Sequence, residues 1–176
     1  MQSPDAANEH PIIDPLVFRQ TMSAFATGVA VITTKSGDEL HGMTVNSLTS
    51  VSLDPPLVLV CLVREARTTQ AVLAAGAFVV NFLSERQEAI AARFARRGTD
   101  HFGALPAALN PRGLPHIPKA LGRLDCAVEM THDGGDHLIV IGRVLECEIR
   151  EGRPLLFFRA RYHEISGPGH AADWYW

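Results

Sequence analysis

The sequence predicts a mainly β fold with inserted helices, in which antiparallel strands close or nearly close into a barrel. Three observations carry this expectation. Leu124, Cys126, Val128 and Met130 alternate with Asp125, Ala127 and Glu129, and LIVIGRVLECEI at 138–149 alternates again, at the two-residue period of a half-buried strand. The other apolar segments are short and follow one another across turn-forming residues, as hairpin-joined strands do. Helical spacing appears only in isolated stretches, so helices interrupt the strands and do not alternate with them as in a doubly wound sheet.

Residues 1–13 are polar and Pro-bounded without periodicity, and read as a flexible arm that is loose unless a neighbouring subunit holds it. One domain then runs over 14–165, followed by a C-terminal tail at 166–176. Asp14 suits an N-cap, Pro15 the first helical position, and Phe18, Met22 and Phe25 recur at helical spacing before a stop at Gly28. VAVITT at 29–34 and LHGMTVNSLTSVSL at 40–53 predict a hairpin, ended by Asp54, Pro55 and Pro56. The unbroken apolar run from Leu57 to Val63 is the pattern of a central strand buried on both faces. Thr68 or Thr69 caps a short helix that Gly76 stops, and FVVNFL at 78–83 returns as a strand. Ser84 and Gln87 form a capping box for a second helix that shows Ile90, Ala91 and Phe94 on one face and ends at Gly98. Prolines at 106, 111, 115 and 118 keep 99–120 irregular, a loop long enough to read as a lid or dimer flap. A long hairpin turning at HDGGDH follows, and then a last strand near Leu155 to Phe158.

The composition narrows the function. With 176 residues, 47% hydrophobic and 20% charged, the chain has the make-up of one soluble globular domain. Its net charge of -3 leaves no cation excess for a nucleic-acid backbone. Lys35 and Lys119 are its only lysines, an arginine bias that GC-rich codons explain. Cys61, Cys126 and Cys147 are odd in number and lack C-x-x-C spacing, which fits reduced thiols in a cytoplasmic protein. The N-terminus has neither a basic nor an apolar leader region, and the 57–63 run is far too short to span a bilayer, so neither export nor membrane anchoring is expected. There is no G-x-G-x-x-G after a strand, no P-loop, no G-x-S-x-G and no H-E-x-x-H, which removes nucleotide folds and the common hydrolases.

Two segments carry candidate chemistry. In a continuous strand over 43–53, Thr44, Asn46, Ser50 and Ser52 share one small, polar face, while Met43, Val45, Val51 and Leu53 share the other. Short hydroxyls and an amide either serve a planar or phosphorylated ligand at close range, or simply decorate an edge strand. In REARTTQAVLAAG at 64–76, Arg64 and Arg67 precede the free amides of a helix start, an arrangement equally suited to a phosphate or to a capped helix with solvated arginines. Together they describe a pocket for a phosphorylated, ring-bearing cofactor. His132, Asp133, Asp136 and His137 crowd one turn, but Gly134 and Gly135 explain the aspartates as turn residues, so no metal is expected.

The segments FATGVAVITT, HGMTVNSLTSVSLDPPLVLVCL, FVVNFLSERQEAIAARFA and GGDHLIVIGRVLE, in this order, resemble the flavin reductase family over Phe18 to Tyr162. These are the small reductase components of two-component flavin-dependent monooxygenases. The resemblance implies the FMN-binding split barrel, a split β-barrel of Greek-key type, and a homodimer in which NADH reduces a flavin that then leaves for a separate monooxygenase. It implies flavin contacts at Thr27, Thr44, Asn46, Ser47, Ser50, Ser52, Cys61, Leu62, Arg67 and Thr68, with Phe82 lining the ring pocket. His137, in the GDH triplet, would lie beside the nicotinamide, and Arg159, Arg161 and Tyr162 would help hold the pyridine nucleotide. Where many relatives read Tyr-Phe-Arg-Gly-Arg-Tyr, this chain has Phe157 and Ala160, losing a hydroxyl and gaining a methyl.

The implied chemistry needs no protein nucleophile: hydride passes between stacked rings, and small donors near the flavin stabilise the charge of its reduced form. FAD is preferred over FMN as the flavin, and NADH over NADPH. An Arg-rich reductase of this kind suits bacterial degradation or natural-product biosynthesis. A non-catalytic flavin-binding module on the same barrel is the alternative. An oxidase of a phosphorylated vitamin on a related barrel fits the motifs less well.

Overall fold

The computed structural model describes residues 12–98, 101–103, 105 and 108–167. The expected arm over 1–13 and tail over 166–176 therefore lie outside the described residues, save 12, 13, 166 and 167. The elements are α1 (Pro15–Ser23), β1 (Thr27–Gly28), β2 (Ala30–Ser36), β3 (Glu39–Val45), β4 (Leu48–Leu53), β5 (Pro56–Val63), α2 (Arg67–Ala75) and β6 (Ala77–Phe82). A 3-10 turn (Glu85–Gln87) leads into α3 (Glu88–Phe94), and β7 (Ala108–Leu109), β8 (Pro115–His116), β9 (Gly122–Gly134), β10 (His137–Ile149), β11 (Leu156–Phe158) and β12 (Arg161–His163) complete the chain.

Seven strands form one antiparallel sheet in the order β3-β2-β6-β9-β10-β5-β4. Its two edge strands, β3 and β4, are consecutive in the chain and separated only by Asn46 and Ser47. So short a link draws the edges together at that end, yet β3 and β4 do not pair. The expected closed or nearly closed barrel is thus an open, curled sheet in hydrogen-bonding terms. For the same reason the single strand expected over 40–53 is two strands: β3 pairs with β2, whereas β4 turns away to pair with β5. A register shift between Ser50 and Ser52 breaks the alternation again. The polar face expected from Thr44 to Ser52 is therefore not one surface.

The sheet separates two apolar clusters. Ala30, Ile32, Val58, Val60, Leu62, Phe78, Val80 and Val140 fill the first, and Val29, Val31, Leu83, Ala91, Phe94 and Leu155 fill the second. It is β2, lying between the two clusters, that is buried on both faces. The Leu57 to Val63 run is instead next to the edge, and only its alternate residues Val58, Val60 and Leu62 are buried.

Local signals were partly displaced by tertiary contacts. Asp14 caps α1 through Leu16 N–H at 2.8 Å, but the helix ends at Ser23, and Thr27–Gly28 pairs with β11 in place of stopping the helix. α2 starts without a side-chain cap. The Thr68 hydroxyl donates to Gly42 O at 3.1 Å and that of Thr69 to Val63 O at 2.7 Å, tying the helix to strands. Gly76 ends α2 at φ 63°, a left-handed position glycine adopts at no steric cost. The Ser84–Gln87 capping box is present, although α3 stops at Phe94, short of Gly98.

The described part of 99–120 is not a free lid. Ile117 N–H donates to Asn81 Oδ1 at 2.8 Å, Gln87 Nε2 to Pro118 O at 2.9 Å and Asn110 Nδ2 to the buried Asp125 carboxylate at 2.7 Å. Buried amides thus substitute for the regular backbone bonds that the prolines prevent.

Candidate functional site

A cleft of about 1220 Å³ opens beside the β3–β4 crossing. Several parts of the chain build it. α1 and the residues after it contribute Phe18, Met22 and Phe25; the entry to β2 contributes Thr27 to Ala30; the crossing contributes Asn46, Ser47 and Leu48; and the β9–β10 turn contributes Gly134, His137 and Ile139. Cys61 from β5 and Phe82 at the end of β6 complete the wall. Mostly apolar walls with a few convergent polar groups are the composition of a small-molecule site.

The crossing has a definite cause. β4 begins at Leu48, opposite Val60, so Cys61, which pairs with Ile139 of β10 on its other side, has no β4 residue opposite it. The Ser47 hydroxyl takes that place, accepting from Cys61 N–H at 3.1 Å and donating to Cys61 O at 2.9 Å. Asn46 is left exposed in the cleft, and its side chain bonds no other described residue. Thr27 Oγ1 is buried and has no partner among the described residues. The cleft wall therefore offers hydrogen-bonding capacity that the protein does not itself use.

Across the cleft, the β9–β10 hairpin turns in two residues, Gly135 and Asp136, because His137 pairs with Gly134. Gly135 is at φ 71°, as a two-residue hairpin with glycine first requires. The turn brings His137 Nδ1 to 2.7 Å from Asp136 Oδ1. The hydrogen bond from the imidazole, and then its charge, hold the Asp136 carboxyl below the usual carboxylate range. With Nδ1 so engaged, Nε2 is the ring nitrogen left for a ligand. Asp133 is ion-paired with Arg64 at 2.8 Å, so both turn aspartates have partners within the protein.

Of the residues singled out from the sequence, Thr27, Asn46, Ser47, Cys61, Phe82 and His137 meet in this cleft. The others lie elsewhere. Thr44 donates to Ala91 O at 2.7 Å, Leu62 is fully buried in the first cluster, and Thr68 is bonded to Gly42 O. Ser50 is exposed on the edge strand, and Ser52 accepts from Asp54 N–H at 3.2 Å. Arg67 is exposed at the first position of α2, and Arg159 lies over the Phe158 ring at 5.3 Å. Arg161 is exposed, and half-buried Tyr162 packs on Phe157 with ring centroids 5.6 Å apart. Residues that the sequence did not point to are Phe18, Met22 and Phe25 as cleft wall, because their helical spacing reads equally well as a core face. Cys126 is removed from chemistry: burial, and then Asp125, push its thiol up to about 12.

The profile of the flavin reductase like domain matches residues 22–166. The reductase subunit HsaB of a flavin-dependent monooxygenase from Rhodococcus jostii (strain RHA1) is 42% identical over 162 residues, which are 92% of this chain and 83% of that protein. The NADH-dependent flavin reductase StyB of Pseudomonas fluorescens is 42% identical over 155 residues, 86% of this chain and 90% of that protein. Among solved structures, an NADH:FAD oxidoreductase of Streptomyces globisporus in complex with NAD and FAD fragments superposes with a TM-score of 0.83 at 36% identity, covering 89% of this chain and 98% of that one.

Proposed function

The chain belongs to the flavin reductase family, and from that premise we propose that it is an NADH-dependent reductase of FAD or FMN that supplies reduced flavin to a separate monooxygenase component. The observation that carries this reading is the meeting, in one cleft, of Asn46 and Ser47 from the strand crossing with His137 from the opposite hairpin turn. The residues fit a flavin: the cleft has a broad apolar wall, and its buried Thr27 hydroxyl and Asn46 amide have no partner among the described residues. FAD is proposed as the preferred flavin.

When bound, the flavin supplies a two-electron acceptor, and NADH supplies the hydride. The chain's own residues bind, orient and exclude water. Phe82 offers a flat apolar surface, Thr27 and Asn46 offer hydrogen bonds at close range, and Ser47 holds the crossing that presents them. His137 orients the nicotinamide, and no side chain acts as nucleophile. Exposed Arg67, Arg159 and Arg161, with Tyr162, are the groups proposed to reach the phosphates and sugars of the two nucleotides. We further propose a homodimer. α1 has no buried residue, and Phe18 and Phe25 are 56% and 69% exposed, an apolar surface beside the cleft that a second copy would cover.

The test is NADH oxidation by the purified protein with and without FAD or FMN. A rate that depends on added flavin is expected. Flavin binding by fluorescence quenching together with no NADH or NADPH oxidation would instead make the protein a non-catalytic flavin carrier.

A further inference from the structure

We propose that Arg64 is a positioning residue that presets His137 by clamping the β9–β10 turn, an inference that rests on the nicotinamide role of His137 proposed above. Arg64 follows the last residue of β5, where Val63 pairs with His137. Its backbone N–H donates to Asp136 O at 3.0 Å, carrying the ladder one residue beyond the strand. Its guanidinium Nη2 lies 2.8 Å from Asp133 Oδ1 and 3.4 Å from the carbonyl oxygens of both Gly135 and His137. Its own carbonyl accepts from Gln70 Nε2 at 2.9 Å, which fixes this segment to α2. One side chain thus ties both ends of a two-residue turn to a helix-anchored strand end.

The turn needs such a tie. Gly134 and Gly135 have the widest backbone freedom of any residue, and His137 is the first residue after them to face the cleft. The ion pair adds little stability, since the Arg64 and Asp133 side chains are 37% and 86% exposed. That same small energy sets how strongly Arg64 biases the turn, so its effect on His137 is a modest one. All three contacts come from Nη2, whose place is fixed by the rigid guanidinium plane, whereas a lysine ammonium is carried on a flexible four-carbon stem. Arg64 is hydrogen-bonded to the turn and to Gln70 and not to Thr27, Asn46 or Ser47, so its removal should act first on the turn.

The experiment compares wild type, Arg64→Ala and Arg64→Lys at saturating flavin, with flavin affinity measured by fluorescence titration and hydrogen exchange followed in the peptide spanning the turn. For Arg64→Ala, KM for NADH should rise about three- to fivefold with kcat and flavin Kd changed less than about twofold. Exchange in the turn should accelerate, and Arg64→Lys should restore the NADH KM only in part. Unchanged exchange in the turn, an unchanged NADH KM, or a parallel loss of NADH affinity, flavin affinity and thermal midpoint would each overturn the clamp. Hydrogen exchange is read on the protein alone, so the clamp fails or stands there independently of turnover. A wild type that oxidises no NADH with flavin present would overturn the reductase reading instead.

Discussion

Ser47→Ala separates a residue that braces the site from one that touches the ligand. In the structure the Ser47 hydroxyl both accepts from Cys61 N–H and donates to Cys61 O, at 3.1 and 2.9 Å, on a half-buried stretch of β5. Alanine keeps the backbone but removes both bonds, leaving two polar groups of Cys61 dependent on water entering from the cleft. At about 0.5–1.5 kcal/mol for each neutral bond, the loss is about 1–3 kcal/mol. For a chain of this length that corresponds to roughly 2–4 °C in Tm per kcal/mol, so a drop of about 4–8 °C is the central expectation. Thermal and urea unfolding measure it directly, and a flavin titration on the same variant completes the comparison. A brace predicts a lowered midpoint together with weaker flavin binding, because the Asn46–Ser47 crossing loosens. An unchanged midpoint with flavin affinity reduced would refute the brace and make Ser47 a direct contact.

Other substitutions test separate features of the molecule. Asn46→Leu removes an exposed amide without partners among the described residues, so flavin binding should weaken by about 1–3 kcal/mol while stability stays within about 0.5 kcal/mol; unchanged flavin affinity would remove Asn46 from the site. Arg159 and Ala160 form the two-residue β11–β12 turn at φ 48° and 58°, a left-handed pair that disfavours side chains. Ala160→Gly should therefore stabilise the protein by about 1 kcal/mol, seen as a Tm rise of about 2–4 °C, and a lowered Tm would contradict the strain. Burial, and then Arg123, lower the pKa of His116 from 6.5, so the folded protein binds fewer protons there than the unfolded chain. The His116 contribution is complete above pH 6.5 and is lost as pH falls through that value towards the folded pKa. His116→Asn should flatten the acid side of the stability profile, and identical profiles for the two proteins would exclude His116 as a cause.

Much of the secondary structure was legible because its signals are local. The Asp14 cap, the Gly76 stop, the Ser84–Gln87 capping box and the β9–β10 hairpin all depend on residues within a few positions of one another, and all are present. The motifs also sufficed to place the chain in its family. The strand run over 40–53 misled for a physical reason: alternation does not register a partner change. Nothing in Val45, Asn46 and Ser47 shows that the strand leaves β2 for β5 there, because the choice depends on pairings with residues far away in the chain. The threonines at 68 and 69 misled likewise, since distant carbonyls at Gly42 and Val63 took hydroxyls that local reading assigned to a helix cap.

Residue types and their spacing were enough to supply the strands, the hairpin turn bearing His137 and the donors at Thr27, Asn46 and Ser47. Their assembly into one cleft was not, because it requires β10 to pair with β5 and the two sheet edges to meet across a two-residue link. Those pairings bury Val58, Val60, Leu62 and Val140 against one another. The energy that selects them belongs to this shared apolar cluster and not to any single segment, so folding of the whole sheet is what turns scattered polar residues into a site.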